Sequence, residues 1–336
     1  MLRRIALRIS SVLLVAGLAA CSSNDSAISI GPNFNTLSIY ITNSTQNAVT
    51  IFAPNPTSAS QPLNQIGGSN TQLNGPQYDT FDSTKKLYVS NINPGTNSGS
   101  ITVYQSQATG NVLPLSVIGG SASALGSPRG IAVDSNSNIY VANVTQAPTL
   151  ASSILVFAAG SAGNISPSSF IAGSNTGLNF PAGIFIDTNK KLWIANTGGS
   201  TGNGSILQFA ITAVGNVAPA NVISGPLTGL ISPTSVILDA AGNIYVTDST
   251  LNAILVFAPS ASGNVAPVRT IAGAATKLNN PSDVLLDQSG NLLVTNTATG
   301  NGTGSILIFP STASGNVAPA QTIAAPGNLV GLALSP

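Results

Sequence analysis

All nine acidic residues of this 336-residue chain are Asp; Glu and His are absent. Five of the nine, Asp82, Asp134, Asp187, Asp239 and Asp287, recur at regular intervals, each opening a turn such as Asp239-Ala-Ala-Gly-Asn243. An Asp in that place accepts bonds from backbone N–H groups a few residues on, and five equivalent acids argue for turn formation, because acid–base chemistry needs one distinctive group. Without imidazole, Ser-His-Asp and Cys-His catalysis and most zinc chemistry are removed. Asp134-Ser-Asn-Ser-Asn138 lacks the Gly at the sixth position and the acid at the twelfth that a calcium loop requires. The glycine clusters at Gly198–Gly202 and Gly300–Gly304 lack the Lys-Ser/Thr pair of a phosphate loop. No catalytic residue, metal or cofactor is therefore expected, and the chain reads as a non-enzyme.

The composition narrows the classes further. Charged residues make up 6% of the chain and hydrophobic residues 43%, which fits a large packed core and neither a disordered chain nor a nucleic-acid binder. At the start, Arg3, Arg4 and Arg8 precede a short apolar run, Val12 to Leu18, and then Ala19-Ala20-Cys21. The run is too short to span a bilayer permanently. Small residues before a Cys at that place resemble the lipobox of bacterial lipoproteins, which implies cleavage before Cys21 and its lipidation. Residues 1–20 are then a signal peptide and residues 21–36 a lipidated, palmitate-type anchor with a flexible tether. The mature chain keeps seven basic and nine acidic residues, a net charge of about −2. The expected location is the bacterial cell envelope, in the outer membrane if the cell is Gram-negative, since Ser22 follows the Cys.

Residues 37–336 are repetitive. Pro128-Arg-Gly-Ile-Ala-Val-Asp134 recurs as Pro181–Asp187, Pro233–Asp239, Pro281–Asp287 and, less cleanly, Pro76–Asp82. A second strand follows in each copy and ends in Asn43, Asn91, Asn143, Asn196, Asp248 or Asn296, at spacings of 48, 52, 53, 52 and 48. A third strand ends in an aromatic residue, and a fourth is read from Gly-Asn-Val-Ala-Pro and its trailing Ile, as in Gly263 to Ile271. Four short β-branched and aromatic strands per unit, separated by Gly, Asn and Pro, describe a β-meander with the period of a propeller blade. The first unit starts at its second strand, and Gly331-Leu-Ala-Leu-Ser335 supplies a first strand at the other end. The expected fold is all-β: six four-stranded blades, with the ring closed by the C-terminal strand completing the N-terminal blade.

The pattern Pro-x-Gly-[Ile/Val]-x-[Val/Ile]-Asp-x-x-Gly-Asn-[Ile/Leu]-Tyr-Val-[Ala/Thr]-[Asp/Asn], best seen at Pro233–Asp248 and Pro281–Asn296, resembles the NHL repeat of six-bladed propellers. It departs where that family often carries a basic residue before the third strand, because Ala253, Ser205 and Ser305 stand there. Lyases and lactonases among related propellers depend on His or Glu ligands that this chain lacks.

Candidate ligand contacts are the positions where the copies differ. After the Pro of each first strand come Gln77, Arg129, Ala182, Thr234 and Ser282, followed by Tyr78, Gly130, Gly183, Ser235 and Asp283. Gln77, Tyr78, Arg129 and Asp283 are the candidate binding residues, with Arg129 and Asp283 expected to face each other across the channel mouth as a solvated pair. The expected function is an envelope-anchored, monomeric interaction module for a protein, peptide or glycan, attached to the membrane by lipid and binding no nucleic acid. A propeller lyase or lactonase and a purely structural surface protein are the alternatives.

Overall fold

A computed structural model of the chain describes residues 37–96, 98–145, 152–199, 203–297 and 302–335. The expected residues 1–36, Cys21 included, lie outside them. The described residues form six four-stranded antiparallel sheets. The first blade joins β1 (Ile39–Asn43), β2 (Ala48–Phe52) and β3 (Asn64–Gly67) to β24 (Leu329–Leu334) from the other end of the chain. The second contains β4 (Pro76–Phe81), β5 (Leu87–Asn91), β6 (Ser100–Tyr104) and β7 (Ser116–Gly119), and the third β8 (Ser127–Val133), β9 (Ile139–Val144), β10 (Ser152–Phe157) and β11 (Ser169–Ala172). The fourth contains β12 (Pro181–Ile186), β13 (Lys191–Asn196), β14 (Ser205–Ala210) and β15 (Asn221–Ser224), and the fifth β16 (Pro233–Leu238), β17 (Ile244–Asp248), β18 (Ala253–Phe257) and β19 (Arg269–Ala272). The sixth contains β20 (Pro281–Leu286), β21 (Leu292–Asn296), β22 (Thr303–Phe309) and β23 (Gln321–Pro326). As expected, β24 pairs with β1, in register from Ile39–Leu334 to Asn43–Leu329.

The core lies between neighbouring blades. Ile237, Tyr245, Ile254 and Val256 of the fifth blade pack on Val284, Leu292, Leu307 and Phe309 of the sixth, and the other junctions repeat this arrangement. Each third strand carries a fully buried aromatic ring at or next to its end: Phe52, Tyr104, Phe157, Phe209, Phe257 and Phe309. Side chains alternate between the two faces of a strand, so every blade is apolar on both faces and depends on a neighbour at each.

One element differs from the expected one. Gly-Asn-Val-Ala-Pro is not part of the fourth strand, which in the fifth blade begins only at Arg269. Pro267 has no N–H for a ladder, and the segment reaches instead to the preceding blade. Gly263 bridges in parallel to Ile223, and the Asn264 side chain accepts a bond from Leu227 N–H at 2.8 Å. Asn111, Asn164, Asn216 and Asn316 make the same bond to Asn70, Ala122, Asn175 and Ala275 at 2.7–2.8 Å. Gly225 permits this approach: its φ is +118°, and a Cβ there would lie 2.6 Å from the Asn264 oxygen. The junction between the sixth and first blades is tied differently. Ser58 there donates its N–H and hydroxyl to the Gln321 side chain at 2.9 Å and accepts from Thr322 N–H.

Candidate functional site

The repeated aspartates are scaffold. In the fifth blade, Asp239 Oδ1 accepts Ala241 N–H at 3.0 Å and Asn243 N–H at 2.8 Å, while Oδ2 accepts the Asn243 side chain and the Tyr245 hydroxyl. Burial alone would raise this carboxyl, but those bonds outweigh it and hold it below the usual range, as bonds from Lys86, Thr84 and Tyr88 do for Asp82. Tyr88 and Trp193 likewise donate to Asp82 and Asp187 at 3.0 Å. These aromatic residues, each the second or third residue of a second strand, therefore join the strand packing to the turn.

The positions that vary between copies lie at irregularities of pairing. Five of the six inner strands pair at a Pro and shift register within the next three residues, and bulges of this kind re-aim side chains. Arg129 is exposed and Gln77 half-buried, the latter donating to the carbonyls of Gly75 and Pro76. Tyr78 is buried. Its hydroxyl crosses from the second blade to the fifth and sixth, donating to Thr234 O at 2.9 Å and lying 3.2 Å from Ser282 O. Burial, then the Asp283 carboxyl, raise the Tyr78 hydroxyl well above its ordinary value against the opposing effects of the Ser282 bond and Arg129.

Asp283 is not a solvated residue at the mouth; it is 6% exposed. Its Oδ1 accepts the Ser235 hydroxyl at 2.6 Å and Val284 N–H at 2.9 Å, and Oδ2 accepts Leu332 N–H at 2.9 Å. The solvated partnership expected for Arg129 and Asp283 is therefore not what the fold provides. A Tyr ring occupies the axis, and the bulge turns Asp283 into the interior beside β24. Burial pushes the Asp283 carboxyl up to about 6 despite these three bonds.

Asp79, which sequence reasoning passed over, completes the cluster. It occupies the position held in the other blades by Ile131, Ile184, Val236, Val284 and Leu332, so the signal was one acid in an aliphatic column. Asp79 is 5% exposed, and neither carboxylate oxygen is bonded to another residue; its own backbone N–H is the sole group that lowers it. Burial, then the charge of Asp283, push it well above the ordinary carboxylate value. Space for it comes from Gly331: a Cβ there would lie 2.9 Å from Asp79 Oδ1 and 2.6 Å from Tyr78 Cα. The two acids thus flank β24, one on each side.

Both acids line a cavity of about 480 Å³ that runs along the axis from Tyr78, Asp79 and Asp283 to Phe81, Asp82 and Ser83 at the end of β4. Its walls are mainly Ile131, Ile184, Val236, Leu285 and Leu332. A second, larger groove of about 840 Å³ lies on the face where the first strands begin, between the fourth and fifth blades. Asn179, Asn203, Leu230 and Leu251 line it. Among the described residues, no cluster of three or more His, Cys, Asp or Glu able to hold a metal is present, and no helix is long and apolar enough to cross a membrane.

Comparison with known proteins agrees with the architecture. A β-propeller repeat family model (SBBP) matches residues 118–147. No curated protein matches the chain by sequence. Among solved structures, a nidogen/laminin complex is similar at 17% identity and a TM-score of 0.60, over 89% of this chain and 98% of that one. A protein of unknown function from Bacteroides caccae is similar at 12% identity and a TM-score of 0.62, over 89% and 99%. The periplasmic gluconolactonase of Pseudomonas aeruginosa is similar at 13% identity and a TM-score of 0.53, over 89% and 99%. At these identities the likeness is one of fold: the chain is a six-bladed β-propeller.

Proposed function

We propose that this chain is an NHL-type propeller lipoprotein, anchored in the bacterial envelope through Cys21, whose propeller binds a protein, peptide or glycan. The observation that carries the reading is the groove between the fourth and fifth blades. It lies on the face formed by the loops joining second to third strands and the loops entering each first strand. There the repeated, fully bonded scaffold gives way to amides beside apolar side chains: Asn179 and Asn203 next to Leu230 and Leu251. Such a surface suits a peptide or a sugar, which presents polar edges and apolar faces together. Arg129 and Gln77 begin their strands on the same face, and Arg129 adds an exposed cation for an acidic partner. One chain of similar fold was solved in a nidogen/laminin complex, which illustrates protein recognition on this architecture. The gluconolactonase likeness supports no matching chemistry here, because the chain has no His or Glu to hold a catalytic metal.

Capture from envelope extracts with the full-length protein tests the binding, and Asn203→Arg, which places a charged side chain in the groove from an exposed position, identifies the surface. The expected result is a defined partner retained by the wild type and lost by the variant at unchanged melting temperature. A partner retained equally by both would move the site elsewhere. Anchoring is tested by Cys21→Ser, which should abolish fatty-acid labelling and release the protein from membranes; unchanged labelling and partition would refute it.

A further inference from the structure

A buried carboxylate without a bond is costly, and natural folds keep one only where something else meets it. Asp79 stands in a column of aliphatic side chains, where Val or Ile would pack without that cost. Both its oxygens lack partners although Asp283, the second acid of the cluster, receives three bonds. The cavity beside them supplies room. Asp79, Asp82 and Asp283 are its only charged residues, and among the described residues no Lys or Arg lines it.

We infer that the axial cavity is a binding site for a small organic cation, a primary or secondary ammonium carried on an apolar body, with Asp79 and Asp283 as its counter-ions. The ammonium would lie at the Tyr78 end, where the Asp79 side chain, its oxygens covered against β24 in the empty fold, would turn to meet it, and the apolar body would lie along Ile184, Val236 and Leu332 toward the end of β4. A hard divalent metal fits less well, since it needs six or more oxygen ligands and these walls are hydrocarbon. The cavity volume matches pockets that hold molecules of this size. The ligand would enter from the face of the turns that follow each first strand. That face is opposite the one proposed for the macromolecular partner, with Tyr78 closing the axis between them, so the two sites are tested independently.

The arrangement carries a proton signature. The titratable and charged groups around the pair are Tyr40 of β1, Tyr78 of β4, Asp82 after β4 and Arg129 of β8, the last acting on Tyr78. None supplies a cation in contact with Asp79. With Asp79 raised well above its ordinary value, the empty site holds a proton there that an entering ammonium displaces, and below about pH 6 Asp283 holds another. Affinity for a cation should therefore rise with pH and fall in acid.

The test is calorimetric titration of the full-length protein with benzylamine and hexylamine, using benzyl alcohol, hexanol and hexanoate as matched neutral and anionic probes. The expected result is saturable one-to-one binding of at least one amine, at least tenfold tighter than its alcohol, with no binding of hexanoate. Titration in two buffers of different ionisation enthalpy should show proton release, and affinity should be at least fivefold weaker at pH 5 than at pH 7.5. Asp79→Val, which restores the side chain found at Val236 and Val284, should fold and lose the preference for amine over alcohol; Asp283→Asn serves as a second variant that keeps an acceptor for Leu332 N–H. Equal binding of amine and alcohol would reduce the cavity to an apolar slot and overturn the inference. So would undiminished amine binding by Asp79→Val, stoichiometric Ca²⁺ binding that excludes the amine, or no saturable amine binding at millimolar concentration.

Discussion

Replacing Asp79 with Val should stabilise the propeller, and by more in neutral than in acidic solution. Near pH 4 the Asp79 carboxyl is protonated in the fold, and the variant gains only what an unbonded buried polar group costs, about 1–3 kcal/mol. As pH rises, the carboxyl ionises in the unfolded chain at its ordinary value, whereas burial and Asp283 keep it protonated in the fold. The unfolded state then holds fewer protons, so the wild type loses stability by up to about 1.4 kcal/mol per pH unit until the folded group also ionises. Asp283 acts in the same direction. Its rise from 3.8 to about 6 corresponds to about 3 kcal/mol lost between those pH values and not regained above them. The wild type should therefore melt higher at pH 4.5 than at pH 7.5. Asp79→Val should raise the melting temperature at both, with the larger gain at pH 7.5, at roughly 2–4 °C per kcal/mol. Scanning calorimetry of both proteins at matched ionic strength measures this. A variant less stable than the wild type at pH 7.5, or a gain equal at the two pH values, would refute the placement of a raised, unpartnered carboxyl at Asp79.

Other substitutions separate scaffold from surface. Asp239→Ala removes the acceptor for two backbone N–H groups, Asn243 and Tyr245, and should cost about 1–2 kcal/mol in urea unfolding. Arg129→Ala, at an exposed position, should change stability by no more than about 0.5 kcal/mol. Asp283→Ala at pH 5 should cost about 2 kcal/mol or more, because Ser235, Val284 and Leu332 lose their acceptor; equal melting of these two variants would return Asp283 to the surface. Asn264→Ala should speed amide exchange at Leu227 and cost about 0.5–1 kcal/mol, since Leu227 N–H loses its bond across the blade junction.

The fold was legible because a period near 50 residues writes each blade several times over, and a turn Asp or a closing Asn gains certainty from each copy. The bonds between blades were not, because they join residues such as Asn264 and Leu227 whose partnership appears in neither local pattern. Polar ties near the axis were hidden in the same way: Ser90 donates to Arg129 O at 2.6 Å and Thr295 to Val330 O at 2.8 Å. At the site, repetition misled. It presented Asp283 as a variable mouth residue, whereas the register shift after Pro281 buries it. It also made Pro76–Asp82 read as a poor copy of the motif, although the mismatch Asp79 is its most informative residue. Arg129 is exposed, as a charged residue in an otherwise uncharged set of positions suggested.

The pairing of β24 with β1 has a consequence for how the protein is made. Ser38 N–H donates to the Ser335 hydroxyl at 3.0 Å across 297 residues of sequence, so among the described strands β1 emerges from the ribosome first and its inner neighbour last. At about 5–20 residues per second the interval is roughly 15–60 s. Throughout it β1 offers a bare strand edge and the growing stack of blades keeps one apolar face uncovered, both of which invite pairing with other chains. Synthesis thus imposes a waiting period that local folding of single blades cannot shorten, and a holding chaperone or continued extension of the chain would have to protect the opening half-blade until its partner arrives.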